Sequence, residues 1–237
     1  MDFKLAKRYF EDCAYNISYD SIGHDVNYKF VEEGSHLYVY FQGSKDITAD
    51  KGWIDWLRNF WFFPMRKKPY KGMTDKFYVH SGFLSAWKEM EDLFISKITE
   101  KNGLKWKYDK ITIIGYSHGA ALACLAHESA WFYRPDLNFD LETYAFEAPR
   151  AYGGFRTKKS LRERWKNCHV FRNGTDIVTH CPPRLFGFCH VGDLLSIDGD
   201  TSCVRNRLPK CIKCHFQKPI IDGLEKAAEK DGDGNGE

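Results

Sequence analysis

Gly115-Tyr116-Ser117-His118-Gly119 fits the GxSxG pattern, and its flanks matter more than the pattern itself. The preceding KITIIGY is strand-like, and the following AALACLAH is alanine-rich and helix-like. A nucleophile elbow needs such a sharp strand-to-helix turn, with a strained serine and small residues on either side. The competing reading is a glycine-containing βα turn with an exposed serine. A serine hydroxyl attacks only when a histidine takes its proton and an acid holds that histidine's tautomer, so partners are sought downstream in the order serine, acid, histidine. Asp176 closes Asn173-Gly174-Thr175-Asp176, a turn after the strand-like CHVFR, where an open α/β sheet places its functional groups. Without a partner serine, such an aspartate reads as an ordinary Asx-turn residue. Two histidines compete for the base. His190 precedes the strand-like Leu194 to Asp198, whereas His215 follows that strand in a loop at the carboxyl edge that can reach back to the serine. His215 is therefore the candidate base. His80, His169 and His180 lack such placement and read as structural histidines.

The elements that must position these residues follow from periodicity. Asn27 to Glu32 and His36 to Gln42 alternate apolar with polar side chains around Glu33-Gly34-Ser35, which predicts a hairpin. Phe83 to Lys101 carries Trp87, Met90, Phe94 and Ile98 at spacings of three and four, which predicts an amphipathic helix. Lys110 to Tyr116, Asp140 to Phe146, Cys168 to Arg172 and Leu194 to Asp198 read as strands, with helical stretches between the first pairs, and Ile220 to Lys230 is helix-like. Strands alternating with helices imply an α/β fold with a mainly parallel, covered sheet.

Composition agrees with one globular domain over 1–230: the chain has 237 residues, 43% of them apolar and 28% charged. DGDGNGE, 231–237, reads as a solvated, disordered tail. A net charge of +3, from 35 basic and 32 acidic side chains, is too balanced for a nucleic-acid binder, so no nucleic-acid partner is expected. Ile111 to His127 carries no Asp, Glu, Lys or Arg, but Gly115, Ser117 and Gly119 interrupt it, which excludes a membrane helix. Asp2, Lys4, Lys7, Arg8, Glu11 and Asp12 break up any secretory core at the amino terminus. Read as complete, the chain is expected in the cytoplasm or another place reached without a secretory signal, with free thiols. Eight cysteines fall well short of a disulfide scaffold.

Six motifs in order extend this reading. They are YFQGS at 40–44 with DWLRNF at 55–60, VHSGFLSAW at 79–87, GYSHGAALA at 115–123, YAFEAPRAYG at 144–153, NGTDIVTHCPP at 173–183, and CHVGDLL at 189–195. From about Ala6 to Leu224 the chain resembles the class 3 lipases, the fungal-type triacylglycerol lipase group of α/β-hydrolases. The resemblance implies an α/β-hydrolase fold, with helices on both faces of the central sheet. It implies a serine carboxylic-ester hydrolase that cleaves acyl esters of lipids, acylglycerol or phospholipid, through an acyl-enzyme. It makes Ser117 the nucleophile, Asp176 the acid and His215 the base, with His190 matching a structural histidine. The oxyanion hole would be the backbone N–H groups of Ser44 and His118. This chemistry calls for no cofactor and no metal. Three positions depart from the pattern: His118 replaces an apolar residue, Ala120 a glycine and Glu147 a glycine. An added imidazole and carboxylate predict a more polar pocket than that of a lipase for long chains.

Three other readings compete. Cys181, Cys189, Cys203, Cys211 and Cys214 interleave with His190 and His215, so a zinc-stabilised module over Cys181–Cys214 is conceivable, although only Cys211 and Cys214 have CxxC spacing. Asp231, Asp233, Asn235 and Gly236 copy half of a calcium loop that ends before its bidentate glutamate. A non-catalytic lipid- or partner-binding domain could share the fold. Finally, Trp53, Trp56, Leu57, Phe60 and Trp61 share one helical face ahead of Arg66, Lys67, Lys68 and Lys71, so residues 51–71 are expected to form a lid that contacts an anionic membrane surface. The competing reading for that segment is a structural helix packed on the core.

Overall fold

A computed structural model describes residues 1–24, 26–43, 66–67, 77–137, 140–153, 163–204 and 208–233. After helix α1 (Phe3–Glu11), seven of the described strands belong to the main sheet: β1 (Asp20–Ile22), β2 (Val26–Glu33), β3 (His36–Phe41), β4 (Lys110–Tyr116), β5 (Leu141–Phe146), β6 (Cys168–Asn173) and β7 (Asp193–Ile197). They form one sheet in sequence order. The β1–β2–β3 pairs are antiparallel, and every later pair from β3 to β7 is parallel. The mainly parallel sheet read from the sequence is therefore present, with an antiparallel edge. The helices with long-range roles are α2 (Ser81–Ile98), α3 (His118–Tyr133) and α4 (Gln217–Asp233).

Side-chain alternation divides the core between two faces of the sheet. Ile111 and Ile113 of β4 join one apolar cluster with Trp87, Met90 and Phe94 of α2 and the alanines of α3. Ile114 points the other way, joining Tyr144, Phe146 and Phe171 with Phe10 of α1 and Leu224 of α4. Helices thus cover both faces, as the β-strand period requires when a sheet is apolar on each side. Every residue of α3 from His118 to Ala130 is buried, between the sheet and α2. Its alanines let it approach the strands closely.

Arg134 and His127 are paired inside this core. Arg134, ending α3, is buried; its Nη1 donates to the Ile98 carbonyl at 2.6 Å and its Nη2 to that of Tyr108 at 2.9 Å. His127 bonds Thr143 Oγ1 and the Arg164 carbonyl, each at 2.9 Å, and burial pulls its ring down to about 4. α1 was not anticipated from the sequence; Asp2 caps it by accepting from the Leu5 N–H at 3.0 Å, and Ala6, Tyr9 and Phe10 form its buried stripe. α4 continues to Asp233, three residues into the expected tail, while 234–237 lie outside the described residues. Of the expected lid, only Arg66–Lys67 is described, as a short strand antiparallel to Val79–His80; 51–65 and 68–71 lie outside the described residues. Among the described residues, no helix is long and apolar enough to cross a membrane.

Candidate active site

Ser117 stands between the end of β4 and the start of α3, and its backbone is at φ 56°, ψ −120°. A non-glycine residue held in such a conformation stores about 1–3 kcal/mol of strain, so its surroundings must over-determine it. They do so by close contact. A Cβ at Gly115 would meet the Gly119 carbonyl oxygen at 2.3 Å, and a Cβ at Gly119 would meet the Phe41 carbonyl oxygen at 2.4 Å. The pattern's two glycines are therefore steric requirements of the turn. Gly43 packs against it as well, since its Cβ would lie 3.3 Å from that of Ser117. The Ser117 N–H donates to the Phe146 carbonyl at 2.9 Å, fixing the elbow to β5.

The other side of the site gathers three carboxyl-edge segments. Asp176 lies in the turn after β6; its Oδ1 accepts from the Val178 N–H at 2.9 Å, and its Oδ2 is 2.7 Å from His215 Nδ1. His215 Nε2 is 2.9 Å from Ser117 Oγ. These distances assign the tautomer: Nδ1–H donates to Asp176, leaving Nε2 to accept the serine proton. All three side chains are buried. The Tyr116 ring stacks on His215 with centroids 5.3 Å apart, and its hydroxyl donates to the His215 carbonyl. Asn173, ending β6, donates from Nδ2 to the Cys214 carbonyl at 2.9 Å and accepts at Oδ1 from the Gly199 N–H at 2.7 Å. It thereby ties the loop carrying His215 to the ends of β6 and β7.

His190 is elsewhere: its Nε2 donates to the Thr179 carbonyl at 2.7 Å, and burial lowers its ring to about 4. The structure thus brings Ser117, Asp176 and His215 together and leaves His190 out. His118 opens α3, its backbone amide among the first N–H groups of that helix, and Ser44 lies outside the described residues.

With this geometry in view, comparison with known proteins becomes informative. Residues 38–186, well over half of the chain, match the family model described as lipase (class 3). The chain belongs to the class 3 lipases. Over 162 residues this class 3 lipase is 26% identical to a lipase of Rhizomucor miehei, covering 66% of this chain and 40% of that protein. Over 121 residues it is 29% identical to the secreted mono- and diacylglycerol lipase 1 of Fusarium solani, covering 51% and 34% respectively. The chain thus spans well under half the length of these curated relatives. A solved triacylglycerol lipase whose catalytic centre is formed by a serine protease triad superposes with a TM-score of 0.63 at 17% identity, covering 94% of each chain, a likeness of fold. The fold is the α/β-hydrolase fold expected from the motifs. His215 falls outside the matched segment, so its place at the site rests on geometry.

The sequence reading missed Asn173 and Tyr116 as positioning groups and noted Glu147 only as a departure from the family pattern. Glu147 is buried directly beside Asp176 and at φ 53°. Among the described residues, the one group of three or more potential metal ligands is Glu147, Asp176 and His215, none of them a cysteine. The zinc module over Cys181–Cys214 therefore finds no geometric support. All eight cysteines are free thiols.

Proposed function

We propose that this chain is a serine carboxylic-ester hydrolase that cleaves acyl esters of lipids, acylglycerol or phospholipid, through an acyl-enzyme. The observation that carries the reading is His215 bridging Ser117 Oγ, at 2.9 Å, and Asp176 Oδ2, at 2.7 Å, at a strained strand-to-helix turn. Nε2 takes the hydroxyl proton as Oγ forms a bond to the ester carbonyl carbon. The Asp176 carboxylate faces the Nδ1–H of the imidazolium so formed. Collapse expels the alcohol, which leaves with the proton from Nε2, and water repeats the sequence on the acyl-serine. The oxyanion would be met by the His118 amide, at the positive end of α3, and by the Ser44 amide. A non-catalytic domain would have no use for this strain and alignment. The test is a chain-length series of chromogenic acyl esters on wild type and Ser117→Ala: loss of turnover in the variant supports the reading, and retention of most of it ends the reading.

Burial of Ser117 further supports a covering element that moves aside for substrate. Residues 51–71 follow the oxyanion segment and carry aromatic residues beside Arg66, Lys67 and Lys68, which suits contact with an anionic lipid surface. Serine at those three positions should weaken co-sedimentation with anionic vesicles at low salt. Sedimentation that ignores both lipid charge and salt discards the interfacial role.

A further inference from the structure

Glu147 follows β5 at the carboxyl edge of the sheet, fully buried and at φ 53°. Both conditions oppose a glutamate: the left-handed backbone costs a residue with a Cβ about 1–3 kcal/mol, and burial disfavours its charge. The family pattern named above carries glycine here, which satisfies the backbone without either cost. What this glutamate does is therefore a question about its carboxyl group. Oε1 accepts from the Asn173 N–H at 2.7 Å. Oε2 is buried with no hydrogen-bond partner when the group is taken as a carboxylate. One ligand atom each from Glu147, Asp176 and His215 lie within 4.8 Å of one another. Asp176 is already committed on both oxygens, to Val178 N–H and to His215 Nδ1.

Two ionised carboxylates in that space repel without water to screen them, and they leave Oε2 unsatisfied. A single proton on Oε2 removes both penalties, because Glu147 becomes neutral and gains a donor directed at its neighbour. Burial, then the adjacent Asp176, push the Glu147 carboxyl well above the usual carboxylate range. Of the other titratable groups facing it, the His215 imidazole is engaged by Asp176 at Nδ1, the Cys214 thiol and the Tyr116 phenol offer no compensating cation, and burial pushes that phenol well up. A divalent cation is the rival use of three such ligands. Ligation at His215 Nδ1 would have to displace the hydrogen bond to Asp176.

We propose that Glu147 is a neutral carboxylic acid that donates a hydrogen bond from Oε2 to the Asp176 carboxylate, acting as a positioning residue behind the Ser117–His215–Asp176 array. Its positioning role rests on the hydrolase reading; its protonation does not. Glutamine can reproduce the pair of contacts, accepting from Asn173 and donating to Asp176, while glycine suits the backbone and removes both.

The experiment combines an infrared difference spectrum at neutral pH, wild type against Glu147→Gln, with ester kinetics and melting curves of Glu147→Gln and Glu147→Gly. Expected are a neutral-carboxyl carbonyl band lost in the glutamine variant, and about a tenfold fall in kcat at near-constant KM for folded Glu147→Gly. Glu147→Gln should recover most of that loss. A carboxylate-only spectrum overturns the proposal, as does one equivalent of divalent metal retained by wild type through dialysis and lost from Glu147→Gln. Unchanged kcat in Glu147→Gly overturns the positioning role even if the band is present. A wild type that turns over no ester fails the hydrolase reading instead, and leaves the infrared result to judge the proton.

Discussion

Ser117 and His215 meet at 2.9 Å, yet the two sides of that contact are held by different physics. On the serine side, from Gly115 to Gly119, backbone touches backbone, and the decisive quantities are distances that no Cβ could occupy. On the acid–base side, Glu147, Asn173, Asp176 and Tyr116 hold their positions by hydrogen bonds between segments far apart in the chain. Steric demand is local and tolerates no added atom. A buried polar network is non-local, and it answers to charge and proton count. The two sides should accordingly fail in different ways.

The largest effect expected short of removing the serine is at Asp176. Asp176→Asn keeps the shape of the side chain but disrupts the tautomer of His215, and should lower kcat by about four orders of magnitude with a normal melting curve. A drop of tenfold or less would mean that another group performs that role. Gly119→Ala probes the steric side: its Cβ, at 2.4 Å from the Phe41 carbonyl oxygen, should cost about 3 kcal/mol of stability and take activity with it. Urea unfolding checks this, and a stable but inactive protein would separate elbow geometry from folding. Asn173→Ala removes two buried side-chain hydrogen bonds and should cost about 2 kcal/mol. Activity should fall more than stability alone explains, because the loop carrying His215 loses its tie to β6; parallel changes in both would place Asn173 in the fold only.

The smallest expected effect is a pH dependence of stability that bypasses the site. Burial holds His127 at about 4, below its unfolded value of 6.5, so between those values the unfolded chain binds more protons. The contribution is present in full above about 6.5 and is lost as pH falls through about 4. Melting curves over that range should show the loss, and His127→Gln should flatten part of it. An equal slope in wild type and variant would assign the acid sensitivity to other groups.

The same contrast explains what the sequence disclosed. The elbow was legible because a steric requirement writes itself locally, as Gly115 and Gly119 between a β-branched strand and an alanine-rich helix. Strands β4 to β6 were legible from apolar runs buried on both faces, the edge strand β7 from its short apolar stretch, and the hairpin β2–β3 from alternation around Gly34. Asp176 and His215 required topology as well as residue type, since both had to fall at the carboxyl edge of the sheet. Asn173 was not legible as a fastener, because its partners at Gly199 and Cys214 are 26 and 41 residues away and both accept or donate through backbone atoms of no particular residue type. Glu147 could be noticed only as a departure from a glycine pattern. Its meaning depends on Asp176, which reaches it through the pairing of β5 with β6. Helix α1 was missed although Ala6, Tyr9 and Phe10 mark its face, because the charges that break up a secretory core are also those of its solvent side.

The central claim is that Ser117 is activated where it stands, and labelling with a fluorophosphonate probe followed by peptide mapping tests it most directly. The account predicts one equivalent of label on Ser117 in wild type and none in Ser117→Ala, with labelling strongly slowed in His215→Ala. Labelling at another serine, or an unlabelled wild type that still hydrolyses acyl esters, would contradict it.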